Sequence, residues 1–426
     1  MKIRNFRIPS REARAHLEVL ARRSRSLFDG EASAAAARAF SEIRREGDRA
    51  LARWRRKYDG EGGRLRAVPG RARVSRDFRK AFDEALARVT AFHSLQEISG
   101  ARLRMRGSLI EERVFALDSV GVYVPGGEAP YVSTALMTIV PARIAGVLRI
   151  AAATPPAAYD GSAELRYAFD RLGVTEIYRM GGAHAIAALA LGTASVRAVA
   201  KIVGPGSRFV TAAKRLVSGL VGIDGLAGPT EVAILADGAA DPERVAADLL
   251  AQAEHDVSAA AVLVTTSARL AREVEKALAR RLANLATRGR ARVSLERYGA
   301  IGVVDSLPAA IAFLEEFAPE HLGIQTRRSL EHAGRFRRAG SVFVGGASSE
   351  VFGDYVAGTN HVLPTNGTAR FASALSVRDF VRRMPVVRLS RKDGEALAAS
   401  ARVWAQVEGL PGHGAAAALR GSREAP

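Results

Sequence analysis

Short runs of strand-forming residues alternate with helical stretches along most of the chain after Gly107. Helical patterns separate most of these runs, and strands joined through helices form βαβ units in parallel sheets. Nine such runs are many for one compact sheet, so we predict an α/β fold with two domains. The predicted strands are Val120–Pro125, Leu148–Ala153, Glu176–Met180, Ala198–Val203, Glu231–Ala236, Ala261–Thr265, Ala300–Val304, Leu322–Gln325 and Ser341–Val344.

The segments on either side of this region are predicted to be helical. Between about Arg11 and Ser99, apolar residues recur at helical spacing, with a break at Tyr58-Asp59-Gly60. From Arg370 onward the pattern is again that of a helix. A chain of 426 residues has room for two or three domains.

Cysteine content and hydropathy favour a cytoplasmic protein. The chain has no cysteine, which excludes disulfides and thiolate ligands and fits a reducing compartment. The N-terminal residues carry charges and no apolar core, unlike a secretion signal. The longest apolar stretch, Tyr131 to Ala153, is interrupted by Pro141, Arg143 and Arg149, so we predict no membrane span.

The formal net charge of +19 raises the alternative of a non-catalytic protein that binds nucleic acid. The arginines are scattered through every predicted helix rather than gathered in one stripe, which favours an Arg-rich composition without nucleic-acid binding. A salt-sensitive interaction with duplex DNA, together with a lack of bound metal, would support the alternative. A positive field also attracts anionic cofactors such as dinucleotides.

Three predicted strands end in glycine-rich turns that open a helix, at Pro125-Gly126-Gly127, Gly181-Gly182-Ala183 and Gly204-Pro205-Gly206-Ser207. Glycine lets the backbone approach a ligand, and a helix N-terminus offers N–H groups to phosphate. None of the turns has the Gly-x-Gly-x-x-Gly spacing of the usual dinucleotide site. The turns therefore indicate either a nucleotide crevice or structural glycines.

Four of the eight histidines lie near a carboxylate in the C-terminal half. Imidazole is a common metal ligand and proton acceptor near neutral pH, so these groups point to an enzyme. Without cysteine, a transition-metal site must combine such nitrogens with amide or carboxylate oxygens. The pairings are Glu254 with His255, Glu320 with His321, Asp354 with His361 and Glu408 with His413.

Two of these pairings have a structural alternative. Gln252 and His255 are expected on one face near the end of a helix that runs from Asp241, where His255 could simply offset the helix dipole. Glu320 and His321 follow Pro319 just before a strand, a rigid position for proton transfer or for a helix-end salt bridge.

Two further segments bear on the site. The segment Gly353–Thr365 is predicted to be a polar loop, either functional or a surface turn. At Glu408–His413, glycine and proline end a helix and bring a carboxylate near an imidazole. The residues alone indicate a metal- or acid/base-dependent α/β enzyme that uses a nucleotide.

Seven blocks in register resemble the histidinol dehydrogenase family, from about Arg38 to His413. The blocks are Val120–Gly127, Lys201–Gly206, Ala227–Glu231, Ala251–His255, Pro319–Leu322, Gly353–Thr365 and Glu408–His413. The resemblance implies an NAD- and zinc-dependent oxidoreductase of histidine biosynthesis that oxidises L-histidinol through L-histidinal to L-histidine.

The resemblance also assigns roles to residues. One zinc ion per subunit is expected on Gln252, His255, Asp354 and His413, positioning the imidazole and amine of the substrate. His321 is expected to transfer protons and Glu320 to activate water. The substrate would contact Thr230, Gln252, His255, His321, Asp354, His361, Glu408 and His413, and NAD would contact Tyr123, His184 and Ser207.

Three positions depart from the family pattern. This chain has His184 where the family usually has Gln, Ser207 where it has Asn, and Thr230 where it has Ser. Threonine keeps the hydroxyl of serine, whereas the first two changes bear on cofactor contacts. The departures keep open a paralogue with the same machinery that acts on another small alcohol, such as a sulfonated diol. Glu408, His413 and the Thr-Asn-His segment at 359–361 favour histidinol.

The family architecture is an intertwined homodimer of two incomplete Rossmann-like domains with helical N- and C-terminal segments. The expected division is an N-terminal segment 1–23, a first domain of 24–122 with 230–375, an NAD-binding domain 123–229, and a C-terminal segment 376–426. The last segment is expected to cross to the partner subunit, so that Glu408 and His413 complete the site of the neighbour.

Overall fold

A computed structural model describes residues 3–23, 30–60, 63–68, 70, 72–126 and 131–421. Gly127 of the first glycine turn therefore lies outside the described residues. The chain forms two compact units, one made of Met1–Gln96 with Asp118–Phe380 and the other of Glu97–Leu117 with Val381–Pro426. Within the described residues, no helix is both long and apolar enough to cross a membrane.

The strands, in chain order, are β1 (Arg4–Ile8), β2 (Arg102–Met105), β3 (Ser108–Ala116), β4 (Ser119–Tyr123), β5 (Arg149–Thr154), β6 (Glu176–Arg179), β7 (Lys201–Val203), β8 (Gly222–Ile223), β9 (Glu231–Ala236), β10 (Ala260–Thr265), β11 (Ala300–Val304), β12 (His321–Gln325), β13 (Ser341–Val344) and β14 (Val381–Arg388). All nine predicted strands are present, with ends that shift by up to three residues.

The helices are α1 (Arg11–Arg23), α2 (Gly30–Glu46), α3 (Asp48–Tyr58), α4 (Arg76–Ser94), α5 (Val132–Ile144), α6 (Pro156–Gly161), α7 (Ala163–Arg171), α8 (Gly182–Leu191), α9 (Arg208–Val217), α10 (Pro242–Ala253), α11 (Ala268–Ala283), α12 (Arg288–Tyr298), α13 (Leu307–Phe317), α14 (Ser329–Ala333), α15 (Glu350–Tyr355), α16 (Arg391–Val407) and α17 (Pro411–Gly421). Short 3-10 turns cover Thr368–Arg370 and Val377–Phe380.

Two parallel sheets in the first unit confirm the predicted α/β fold. A five-stranded sheet has the order β6-β5-β4-β7-β8, and a six-stranded sheet has the order β1-β11-β10-β9-β12-β13. All strand pairs in both sheets are parallel. Strands β4 to β8, and likewise β9 to β13, follow the 3-2-1-4-5 order of a Rossmann sheet.

Both faces of the six-stranded sheet are buried along its central strands, which are apolar at most positions. Val232 and Ile234 of β9 pack into one core with residues of α10 and α11. Ala233 and Leu235 point to the opposite face and pack with residues of α1 and α13. This explains why the strands read as continuous apolar runs rather than as alternating ones.

The second unit corrects the prediction of helix from Arg370 onward. Residues 381–388 form β14, which pairs antiparallel with β3, and β2 pairs on the other side of β3. Arginines and Pro385 hide the strand pattern of β14 in the sequence. The N-terminal segment also opens with a strand that was not predicted: β1 forms the edge of the six-stranded sheet and pairs with β11.

Candidate active site

The amino ends of β9 and β12 lie side by side and carry the predicted proton-transfer pair. His321, the first residue of β12, pairs with Val232 of β9. The backbone N–H of Glu231 donates to Glu320 Oε2 at 3.0 Å, and the Thr230 hydroxyl donates to the same oxygen. His321 Nδ1 lies 3.1 Å from the Glu231 carbonyl oxygen. The backbone of β9 thus fixes both side chains.

Helix α13 leads directly into Glu320 and His321 through a short turn. Helix α13 stops at Phe317, and Ala318 adopts a left-handed conformation with φ of 50°. Pro319 then prevents the helix from continuing. Glu320 and His321 are 6% and 4% exposed, so both ionisable groups are held in a buried position. This agrees with the predicted rigid placement before a strand.

Gln252 joins the network from α10. Its side-chain amide Nε2 donates to Thr230 Oγ1 at 2.8 Å, and the residue is buried. The expectation that Gln252 and His255 share one helix face is wrong, because α10 ends at Ala253. His255 lies beyond the helix end, where its side chain is 40% exposed.

Asp354 links the two histidines. Its Oδ1 is 3.4 Å from His321 Nε2, and its Oδ2 is 3.9 Å from His255 Nε2. The Asp354 carbonyl oxygen lies 2.9 Å from His361 Nδ1. The prediction of a loop over 353–365 is wrong at its start, because Asp354 belongs to the short helix α15.

The charges of these groups depend on one another. Burial raises the pKa of the Glu320 carboxyl. Burial opposes protonation of His321, but the carboxylates of Glu320 and Asp354 outweigh this and raise the pKa of His321 to about 9. Burial also works against the Asp354 carboxylate, but His321 outweighs it and lowers the pKa of Asp354. The two acidic groups therefore favour the protonated form of His321, an arrangement suited to proton transfer.

The donor set is compatible with zinc at His255 and Asp354. Two donors on a tetrahedral zinc ion lie about 3.4 Å apart, close to the 3.9 Å between His255 Nε2 and Asp354 Oδ2. Gln252 gives its amide N–H to Thr230, so its oxygen is the atom that a cation would take. In the described parts of the chain, no three His, Asp or Glu side chains are already grouped as a metal site.

A cavity of about 530 Å³ opens onto this cluster. Its polar wall includes six residues predicted from the sequence, and its apolar wall includes residues of α4 and α5. The polar residues are Thr230, His255, Glu320, His321, Asp354 and His361, and the apolar ones include Phe78, Phe82 and Leu136. The cavity thus offers proton-transfer groups and room for a small molecule.

A second cavity of about 1010 Å³ shares Thr230 and His255 with the first. Two of the glycine turns line it, through Pro125 and Gly126 and through the residues 205–207. Arg208 and Arg290 add positive charge to its wall. Glycine backbone, a helix N-terminus and arginines form an environment that suits a nucleotide.

The three predicted cofactor residues differ in their surroundings. Ser207 lines the larger cavity at the start of α9. Tyr123 is buried, and its hydroxyl accepts the N–H of Gly182 at 3.0 Å. His184 is buried, with Nε2 2.9 Å from Asp59 Oδ2. The imidazole at position 184 is therefore held by a carboxylate that the sequence did not suggest.

Glu408 and His413 belong to the second unit. Glu408 caps the end of α16, and His413 lies in the first turn of α17. The turn between the two helices is the one that Gly409 and Pro411 predicted. Glu408 and His413 are both exposed. They lie in a different unit from the network around Asp354.

Sequence reasoning missed a buried ion pair behind the site. Arg23 NH1 lies 3.3 Å from Glu231 Oε1, and Arg23 NH2 donates to the carbonyls of Pro229 and Thr230 at 3.0 Å. Burial raises the pKa of Glu231 to about 7, against the effect of Arg23. The available signal was an acidic residue that opens a wholly apolar strand.

Known proteins resemble this chain over most of its length. The histidinol dehydrogenase family model matches residues 22–421. The histidinol dehydrogenase of Geobacillus kaustophilus is 44% identical over 397 residues, covering 89% of this chain and 92% of that protein. That of Thermus thermophilus is 45% identical over 385 residues, with the same coverage.

A solved structure extends the likeness to the fold. The crystal structure of histidinol dehydrogenase from Elizabethkingia anophelis superposes with a TM-score of 0.89 at 30% identity. The match covers 98% of each chain. This chain therefore belongs to the histidinol dehydrogenase family.

Proposed function

We propose that this chain oxidises L-histidinol through L-histidinal to L-histidine, transferring two hydrides to two molecules of NAD⁺. The observation that carries the proposal is the buried Glu320–His321 pair, bonded to β9 and facing Asp354 in one cavity. Family membership supports L-histidinol as the substrate and histidine biosynthesis as the pathway.

His321 acts as the proton-transfer residue. In the first oxidation, the hydroxyl proton passes to the imidazole while hydride leaves the carbon for NAD⁺, which gives the aldehyde. For this step His321 must be neutral, so its proton has to leave before each turnover. The neighbouring carboxylates stabilise the imidazolium that forms.

Glu320 serves the second oxidation. Its carboxylate takes a proton from water as the oxygen attacks the aldehyde carbon, which gives the hydrate as its monoanion. The hydrate then loses its second hydride to NAD⁺, and the carboxylic acid product remains. The raised pKa of Glu320, caused by burial, makes its carboxylate a better proton acceptor.

Zinc would be held by Gln252, His255 and Asp354, with His413 as the fourth ligand. The oxygen and nitrogen donors of this set are those that zinc accepts, and the 3.9 Å between His255 and Asp354 supports a shared ion. Bound zinc would supply positioning of the substrate by its imidazole and amine. Thr230, His361 and Glu408 complete the substrate contacts in this proposal.

NAD would occupy the larger cavity, next to Ser207 and the glycine turns. Tyr123 and His184 are the other proposed contacts. The two cavities share Thr230 and His255, which supports hydride transfer between molecules bound in each. We also propose that residues 123–229 form the NAD-binding domain. The first domain would then consist of 24–122 with 230–375, and 1–23 and 376–426 would be the terminal segments.

We further infer a homodimer in which Glu408 and His413 complete the site of the partner. The family resemblance suggests this arrangement. Large apolar side chains on α16 are exposed: Val403 is 61%, Trp404 67% and Val407 77% exposed. An apolar surface of this kind supports an interface with a second copy of the chain. The absence of cysteine supports a cytoplasmic location.

A substrate panel tests the function. Zinc-loaded protein is mixed with NAD⁺ and L-histidinol, or with other small alcohols and sulfonated diols, and NADH is followed by absorbance. We expect L-histidinol to have the highest kcat/KM. Turnover of another alcohol without turnover of L-histidinol would identify a paralogue with the same machinery.

A further inference from the structure

Gly204 is the residue that turns the chain from β7 toward Ser207 and α9. Its φ is +111°, a backbone conformation that residues with a side chain rarely adopt. A Cβ at this position would also collide with the Tyr123 backbone. The residue therefore lies against one proposed cofactor contact and three residues before another. A shift of Gly204 would move the wall of the larger cavity, which Pro205, Gly206 and Ser207 line.

A buried ion pair holds this glycine by both of its backbone groups. The Gly204 N–H donates to Asp224 Oδ2 at 2.7 Å, and Lys214 Nζ donates to the Gly204 carbonyl at 3.0 Å. Lys214 and Asp224 also pair with each other, and their side chains are 3% and 4% exposed. Asp224 Oδ1 accepts a further N–H from Gly225 at 2.8 Å.

The Lys214–Asp224 pair connects α9 to the turn at Gly204. Lys214 lies on α9, the helix whose first turn faces the larger cavity through Ser207 and Arg208. The lysine therefore ties the helix to the turn that precedes it. A buried ion pair adds little net stability compared with apolar residues of the same size, because desolvation offsets the attraction. Its bonds to both backbone groups of one residue, Gly204, point to a role in geometry.

We propose that Lys214 and Asp224 are positioning residues for the cofactor, fixing Gly204 so that the residues 205–207 and the start of α9 meet the NAD phosphates. This inference rests on the proposed NAD-dependent function. The pair does not touch the cavity that contains Glu320 and His321, since neither residue lines it. Its loss should therefore weaken cofactor binding and spare the chemical step.

The test compares Lys214→Met with a control variant in the sheet that contains β7. Arg149 and Glu176 form a mostly buried ion pair, 16% and 14% exposed, at the amino ends of β5 and β6, opposite the edge that bears the turns. KM for NAD⁺, KM for L-histidinol, kcat and Tm are measured for wild type, Lys214→Met and Arg149→Met. NADH affinity is measured separately by titration of its fluorescence.

Lys214→Met should raise KM for NAD⁺ and Kd for NADH about tenfold, the loss expected for one hydrogen bond from a charged donor. KM for L-histidinol and kcat at saturating NAD⁺ should stay within about twofold. Arg149→Met should lower Tm without this selective effect. An equal rise in KM for NAD⁺ in both variants, or a fall in kcat alone, would overturn the proposal.

Two further variants decide the matter if Lys214→Met does not fold. Asp224→Asn keeps an acceptor for the Gly204 N–H, whereas Asp224→Ala removes it. NADH binding should be weaker in Asp224→Ala than in Asp224→Asn, and equal affinities would reject the positioning role. Lack of L-histidinol turnover in wild type would count against the proposed function, while the NADH titrations would still test the pair.

Discussion

His321 Nε2 lies 3.4 Å from Asp354 Oδ1, so the proposed proton-transfer residue and a proposed metal ligand face each other directly. The other carboxylate oxygen of Asp354 faces His255. Asp354 therefore sits between the metal position and the proton-transfer position. A change at this residue should affect both functions, whereas a change at His321 should affect only proton transfer.

Replacing His321 by Asn should lower kcat about 10²- to 10⁴-fold, the usual contribution of a positioned acid–base group. Zinc content and Tm should remain near the wild-type values because the backbone bonds of β12 are kept. Steady-state kinetics with elemental analysis measures both. His332→Asn, on the short helix α14, serves as the control for loss of a histidine. Unchanged kcat in His321→Asn would reject its role as base.

Replacing Glu320 by Gln should slow the oxidation of L-histidinal more than hydride loss from L-histidinol. The amide keeps an acceptor for the Glu231 N–H and the Thr230 hydroxyl, but it cannot take a proton from water. Rapid-mixing kinetics started from either compound separates the two half-reactions. Glu316→Gln, at the exposed end of α13, is the matched control. Equal slowing of both half-reactions would contradict the assignment.

Replacing Asp354 by Ala should strip zinc at a chelator concentration that leaves wild type loaded. The substitution removes a charged oxygen that faces His255. Zinc is measured by elemental analysis after dialysis against the chelator, with the exposed Asp305→Asn as control. Full zinc occupancy in Asp354→Ala would exclude this residue as a ligand.

A mixing experiment tests the shared dimer. His321→Asn and His413→Asn are each expected to be nearly inactive alone. If the C-terminal segment serves the partner, random mixed dimers contain one intact site, and about a quarter of the wild-type activity should return. Unfolding and refolding the two variants together provides the mixture, and refolding each one alone provides the control. No recovery from two inactive variants would show that His413 acts within its own chain, and full activity of His413→Asn alone would show that it has no role.

His16 should make stability depend on pH. Burial and nearby arginines lower the pKa of His16 to about 4 in the folded protein, below the value near 6.5 of an unfolded chain. The neutral form is therefore favoured by folding, and its contribution is complete above pH 6.5 and lost as pH falls toward 4. Between pH 7 and pH 5 the loss is about 2 kcal/mol.

Urea unfolding at the two pH values measures this effect of His16. His16→Met, which does not titrate, should lose about 2 kcal/mol less than wild type between pH 7 and pH 5. His332→Asn, whose imidazole is only half-buried, provides the control. The same pH dependence in wild type and His16→Met would show that other groups cause it.

The sequence predicts the parallel sheets well because their strands are apolar on both faces, and such runs are local signals. Two of the strands that escaped prediction, β1 and β14, depend on distant partners. β1 is a polar edge strand that pairs only with β11, and β14 contains arginines and Pro385 yet pairs with β3 along its whole length. Their pairing is set by contacts that no local pattern records.

The site residues were predictable as motifs, and their surroundings were not. Glu320 and His321 lie where the Pro-Glu-His sequence before a strand indicated. The helix that carries Asp354 escaped prediction because Gly353 and Gly358 resemble loop residues. Arg23 with Glu231, Asp59 with His184, and Lys214 with Asp224 join residues at least ten positions apart. Such pairs become visible only when the fold brings them together.

The number of NADH molecules formed per L-histidinol tests the central claim most directly. Zinc-loaded wild-type protein is given a limiting amount of L-histidinol and excess NAD⁺, and NADH is measured at completion with L-histidine as the second product. If one site carries out both oxidations with Glu320 and His321, two NADH form for each L-histidine and no aldehyde accumulates. One NADH per substrate with aldehyde release, or no NADH at all, would contradict the account.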